Sequence, residues 1–189
     1  MRINYKVGIY AKPAVLPKRI AIIGFSGSGK STLAARLGGK LNIKPVHMDS
    51  LFWLPGWRAD SRENMRAKLY PELLKERWII EGNYTKVLYD ERLDMADTII
   101  MMDVNRLICF KNCVKRRIIY NNKTRPDMGE GCDEKLDLEF AFWVLHKGRA
   151  DRKSKYDKLR EYTDKNVYIF HSRKDSERYL ADINDLRDL

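Results

Sequence analysis

Residues 24–32 read GFSGSGKST. The order G-x-x-x-x-G-K-[ST] falls on Gly24, Gly29, Lys30 and Ser31, after an apolar run and at the start of a helical pattern. Small residues let backbone N–H groups curl around phosphate oxygens where a Cβ would collide. The helix N-terminus adds partial positive charge. Lys30 is expected to reach the β- and γ-phosphates of ATP, and Ser31 to ligate Mg²⁺. Gly24, Ser26, Gly27, Ser28, Gly29, Lys30, Ser31 and Thr32 form the expected cofactor-binding loop.

Such a loop serves kinases, switches and motors alike, so the reaction must be read from other residues. A second acid at the end of a neighbouring strand helps to hold the cation. Glu81 in RWIIEGNY and Asp103 in DTIIMMDVN both qualify, and Glu81 is favoured because Gly82 lets the chain turn close to a ligand. The stretch HMDSLFWLPGW (47–57) carries one acid among aromatics. Asp49 follows the second apolar run and is expected to face the same crevice as the phosphate loop. His47 can equally turn into the core by alternation along its strand.

Phosphoryl transfer needs cations over the transferred oxygens. One well-placed arginine contributes about 10³–10⁵ in rate, roughly 4–7 kcal/mol. Candidates flank the polar segment NNKTRPDMGEG (121–131): Arg116 and Arg117 before it, Arg125 within it, Arg149 and Arg152 beyond it. Arg117, Arg125, Arg149 and Arg152 are assigned to catalysis and Arg116 to nucleotide binding. Gly129 and Gly131 would let the segment close as a lid over about 121–152. Each arginine alone reads equally well as a surface charge.

These residues need a scaffold that brings strand ends together. Apolar runs at 19–24, 44–48, 77–82, 97–104 and 166–170 alternate with helical patterns at about 30–41, 60–75, 105–120, 133–147 and 149–163, plus a terminal helix started by Ser172 and Asp175. A short helix separates the third and fourth runs. Asp60 with Glu63 resembles a capping box, Gly38-Gly39 would weaken the first helix, and Pro71 would kink or divide the second. This alternation predicts a parallel α/β sheet with ligands at the strand carboxyl ends. Residues 1–18 read as an extension before a single domain at 19–189.

The chain has 189 residues and a net charge of +11. Residues 111–125 hold six Lys or Arg and no acid, and 147–160 hold seven against two acids, which accounts for the whole excess. Such concentration points to an anionic partner: nucleotide phosphates, a phosphorylated substrate or nucleic acid. No apolar run is long enough to span a bilayer and no signal-peptide pattern opens the chain, so a cytoplasmic protein without membrane partners is expected. Cys109, Cys113 and Cys132 read as reduced thiols. Oligomeric state is not readable.

The phosphate loop, HMDSLFWLPGW, RWIIEGNY, TRPDMGEGCDEKLDLEF and NVYIFHSRKDSERYL, in this order, resemble the DNA topology modulation (FlaR-like) proteins, a family similar to adenylate and shikimate kinases. The resemblance covers about 19–182. It implies a three-layer P-loop fold with a five-stranded parallel sheet, a helical lid, and ATP with Mg²⁺. Where adenylate kinases carry Asp-Gly-Phe-Pro-Arg this chain has EGNY, and their Ser-Thr-Gly-Asp is replaced by HMDSLFW, which argues against AMP as acceptor. Asp49 matches the acid of shikimate-kinase-like enzymes and would orient, or take the proton from, an acceptor hydroxyl. Phe52, Trp53 and Trp57 would wall that pocket, or pack beneath the next helix, and Asn83 and Tyr84 would add polar contacts. Arg173 and Ser172 would sit beside the adenine, unless they merely cap a helix. The expected activity is a kinase for a small-molecule or nucleoside-type acceptor; a nucleotide-regulated DNA-binding protein is the alternative.

Overall fold

The computed structural model describes residues 11–188. Residues 1–10, most of the expected extension, lie outside the described residues. Five parallel strands form one sheet in the order β2-β5-β1-β6-β7. They are β1 (Arg19–Gly24), β2 (Val46–His47), β5 (Trp78–Glu81), β6 (Thr98–Met102) and β7 (Asn166–Phe170). A separate hairpin pairs β3 (Trp53–Leu54) with β4 (Arg58–Ala59).

Strand alternation builds a core on each face of the sheet. Ile20, Ile22, Ile100 and Met102 pack with α1 (Lys30–Leu41), α5 (Arg106–Ile119) and α8 (Arg173–Arg187). Ala21, Ile23, Ile80 and Met101 pack with α3 (Arg62–Leu73), α4 (Tyr89–Met95) and α7 (Arg152–Glu161). Ile20, Ile22 and Ile23 are wholly buried, each worth about 1.5–3 kcal/mol of apolar burial. Register then sets the functional edge. His47 stands opposite Glu81, and Gly24 opposite Met102, at the carboxyl ends of adjacent strands.

Several sequence expectations change. The second strand covers only Val46–His47, because Met48 already begins a short helix, α2 (Met48–Phe52). The cap of α3 is Ser61, whose Oγ accepts from Asn64 N at 3.0 Å, and not Asp60. Asp60 instead takes Lys68 Nζ at 2.7 Å and Asn64 Nδ2 at 2.9 Å. Pro71 lies in the last turn of α3, so it costs one terminal hydrogen bond and does not divide the helix. Helix α1 runs through Gly38-Gly39. A Cβ at Gly38 would lie 2.6 Å from the Ile43 carbonyl, so close packing explains that glycine.

The expected helix at 133–147 is shorter, α6 (Leu138–Leu145), capped by Asp137. A 3-10 turn at Lys147–Arg149 joins it to α7. No helix among the described residues is long and apolar enough to cross a membrane.

Candidate active site

The loop between β1 and α1 is held from three sides. A Cβ at Gly24 would lie 2.5 Å from the Met102 carbonyl, and one at Gly27 would lie 2.3 Å from the Cys109 carbonyl and 2.8 Å from Cys113 Sγ. Both have positive φ, 138° and 74°. Only glycine fits a cradle pressed this closely between β6 and α5. Asn112 on α5 donates Nδ2 to the Gly27 carbonyl at 2.8 Å. Asn83 accepts from Gly24 N at 3.2 Å. Lys30 Nζ folds onto the Phe25 carbonyl at 3.0 Å, and Ser28 Oγ is buried without a hydrogen-bond partner. Ser26 is half-buried on the loop and Thr32 is exposed on α1.

Glu81 is buried at the end of β5, where its Oε1 accepts from Ser31 Oγ at 3.0 Å and lies 2.9 Å from His47 Nδ1. Burial disfavours the charged His47 ring, but the Glu81 hydrogen bond and charge, with Asp127 and Asp49 further off, raise its pKa. Asp49 is the second residue of α2 and accepts from Tyr84 OH at 2.7 Å. Burial first, then the charge of Glu81, lifts the Asp49 pKa, against the opposing Tyr84 bond, Lys30 and Arg125. Asp49 thus shares one electrostatic neighbourhood with Lys30, Glu81 and Arg125. Arg92 is wholly buried behind this edge, donates to the Gly82 carbonyl at 3.0 Å, and is pulled down to about 10 by burial.

The backbone cradle, the unpartnered Ser28 hydroxyl and the Ser31–Glu81 oxygen pair fit a polyphosphate with a hard, oxygen-preferring cation. Among the described residues no three His, Cys, Asp or Glu side chains cluster as a metal centre. A cation here would draw its remaining ligands from water and phosphate.

Asp103 belongs to a different group. Arg152 clasps it through Nε at 3.1 Å and Nη2 at 2.7 Å, Tyr156 OH donates to it, and Arg149 Nη1 lies 3.8 Å away. The geometry therefore puts Glu81, and not Asp103, on Ser31. Arg149 lies over the Phe25 ring at 4.0 Å and donates to the Val104 carbonyl at 2.6 Å, so it flanks the loop without aiming into it.

Arg117 is turned onto Asn121, and Arg173 pairs with Glu177 at 3.1 Å on the surface of α8. Ser172 caps α8 in a full capping box with Asp175. Of the expected arginines, Arg116 and Arg125 converge. Arg116 Nε donates to Glu134 at 2.8 Å, and Arg125 Nε lies 2.7 Å from the other oxygen of the same carboxylate.

The aromatics divide. Phe52 meets Tyr84 at 5.1 Å and Trp53 at 4.9 Å, so both stay with the Asp49 cluster. Trp57 packs edge-on against Trp53 at 5.5 Å but gives its Nε1 to the Asp133 carbonyl at 2.8 Å, under Lys135, at the outer end of the cluster. Gly129 and Gly131 are packing points of this same junction. A Cβ at Gly129 would lie 2.7 Å from the Trp53 carbonyl, and Gly131 O accepts from Gly56 N at 2.9 Å. Asn83, expected as a polar contact of the acceptor pocket, gives its Oδ1 to Gly24 N and so braces the phosphate loop.

His47, Asn112, Asp127 and Glu134 were missed as contributors. Cys109, Asn112, Cys113 and Arg116 recur at helical spacing as a small and polar stripe, a signal that α5 lies against backbone. Glu134 has acidic neighbours at Glu130 and Asp133, so nothing local distinguishes it.

No protein-family model and no curated protein matches the chain. Among solved structures, a shikimate kinase from Bacteroides thetaiotaomicron is 20% identical with a TM-score of 0.55, over 92% of this chain and 99% of that one. A provisionally designated kinase from Chloroflexus aurantiacus is 13% identical with a TM-score of 0.49, over 90% and 98%. The first likeness establishes the fold, a P-loop α/β sheet of the kind found in that kinase.

Proposed function

We propose that this protein is an ATP-dependent kinase that phosphorylates a hydroxyl of a small-molecule acceptor held at Asp49. The observation that carries the reading is the placement of Asp49, bonded to Tyr84 and within the electrostatic reach of both Lys30 and Glu81. ATP would supply the phosphoryl group, and Mg²⁺ would screen its charge. Lys30 leaves the Phe25 carbonyl to take phosphate oxygens, while Ser31 and Glu81 hold the cation side. Asp49 orients the acceptor hydroxyl and accepts its proton as the oxygen bonds to phosphorus and the bridging P–O bond breaks. Its raised pKa suits that duty, since a carboxylate nearer neutrality is the stronger base. Phe52 and Trp53 supply the apolar side of the pocket. The kinase resemblance read from the sequence and the shared fold of the shikimate kinase support this reading.

The test is Mg²⁺-dependent phosphoryl transfer from ATP across hydroxy acids, sugars, nucleosides and nucleoside monophosphates. We expect transfer to one class, abolished by Lys30→Ala. Background ATP hydrolysis alone across the whole set would sink the proposal.

The alternative, a nucleotide-regulated DNA-binding protein, draws on the basic segments. Three of those cations pair with acids outside the two basic segments: Arg116 and Arg125 with Glu134, and Arg152 with Asp103. The surface charge left for DNA is smaller than the sequence suggests.

A further inference from the structure

Resting on the kinase reading, we propose that Glu134 is a positioning residue that holds Arg116 and Arg125 as one preassembled pair for the terminal phosphate of a nucleoside triphosphate. The two guanidinium groups come from different elements, the last turns of α5 and the 121–137 loop. Two cations brought together repel unless an anion stands between them. Glu134 is that anion. Its side chain is 2% exposed, with Oε1 accepting from Arg116 Nε at 2.8 Å and Oε2 2.7 Å from Arg125 Nε. The second contact is an ion pair without hydrogen-bond alignment. Glu134 N in turn donates to the Lys123 carbonyl at 3.1 Å, tying the carboxylate to the loop that carries Arg125. Asp127 steadies Arg125 from the far side through Nη1 at 2.8 Å.

The location fits phosphate. Cys113, whose Sγ abuts Gly27, lies in the fields of Arg116, Glu134, Lys30 and Arg125. Asp49 lies in the fields of Lys30 and Arg125. Arg116 stands one helical turn beyond Cys113, whose Sγ would meet a Cβ at Gly27 at 2.8 Å, so the Arg116–Glu134–Arg125 group is carried on the helix that presses against the phosphate loop. A guanidinium carries five N–H donors, and the acids engage only one or two on each arginine. The remaining donors are available to phosphate oxygens.

The experiment measures Mg²⁺-dependent affinity for ADP and for the β,γ-imido analogue of ATP by calorimetry, with thermal melting, in the wild type, Glu134→Gln and Glu134→Asp. Glu134→Gln should weaken the triphosphate at least 10-fold while ADP stays within about 2-fold, and Glu134→Asp should recover part of the difference. Arg125→Ala added to Glu134→Gln should cost little more, because Glu134 acts through the arginines.

An unchanged ratio, a tighter triphosphate or an equal loss for both ligands would overturn the inference. If Glu134→Gln does not fold, Glu134→Asp decides: an intermediate ratio supports the role, and a wild-type ratio refutes it. A wild type that binds neither nucleotide would overturn the kinase reading and this inference together. A wild type that binds both, with unaltered variants, overturns the inference alone.

Discussion

Asp49 on α2 and Asn83 in the loop after β5 serve different partners. Asp49 takes the Tyr84 hydroxyl and is the proposed base for the acceptor hydroxyl, so Asp49→Asn should leave nucleotide affinity intact and lower kcat by about 10²–10⁴. A steady-state assay with the acceptor class that the transfer screen yields reads that separation; equal losses in ATP binding and turnover would contradict it. Asn83 instead fills the Gly24 N–H. Asn83→Ala strands that donor, at about 1–3 kcal/mol. We expect a lower melting temperature together with weaker ATP binding, and an unchanged acceptor KM. A change confined to acceptor KM would restore the original assignment of Asn83 to the acceptor pocket.

At the scale of elements, the β3–β4 hairpin and the 129–135 segment make one unit. Gly56 N to Gly131 O, Trp57 Nε1 to Asp133 O and Cys132 Sγ to Leu54 O, at 2.9, 2.8 and 3.2 Å, cross between them. The hairpin that carries Trp53 and the loop that carries Arg125 are thereby mechanically joined. Gly129→Ala drives a Cβ to 2.7 Å from the Trp53 carbonyl, a backbone atom that has little freedom to move. Overpacking of this kind costs about 1–3 kcal/mol. The expected result is a lower melting temperature and a red-shifted tryptophan emission as Trp53 and Trp57 gain water. An unshifted spectrum would mean that the two segments are not joined in solution.

Across the whole molecule, charge is organised around buried acids. Asp103 at the end of β6 gathers Arg152, Arg149, Tyr156 and His171. Burial alone would raise its pKa, but the Arg152 and Tyr156 hydrogen bonds and the cationic field outweigh it and hold the group low. A carboxylate with a folded pKa below its unfolded value near 3.9 stabilises fully above that unfolded value. The contribution fades as pH falls through the folded pKa. Asp103→Asn should therefore cost roughly 1–3 kcal/mol at pH 7 and progressively less toward pH 2. Urea melts at pH 7, 4 and 2.5 read this convergence; a constant difference would show that the charge is not responsible.

The phosphate loop and the five strands were readable along the chain, because each depends on local spacing or on continuous apolar runs. Strand alternation needs only neighbours in sequence, and the G-x-x-x-x-G-K-[ST] order carries its own geometry. What the tertiary structure alone decided was the pairing of charges. Arg117, Arg149, Arg152 and Arg173 looked equivalent to Arg116 and Arg125 in sequence. Only the folded chain brings Glu134 between the last two and hands Arg152 to Asp103. The bond of Trp57 Nε1 to the Asp133 carbonyl likewise exists only because the 129–135 segment meets the hairpin. Ion pairs form between elements far apart in sequence and depend on inverse distance, so no local pattern encodes them.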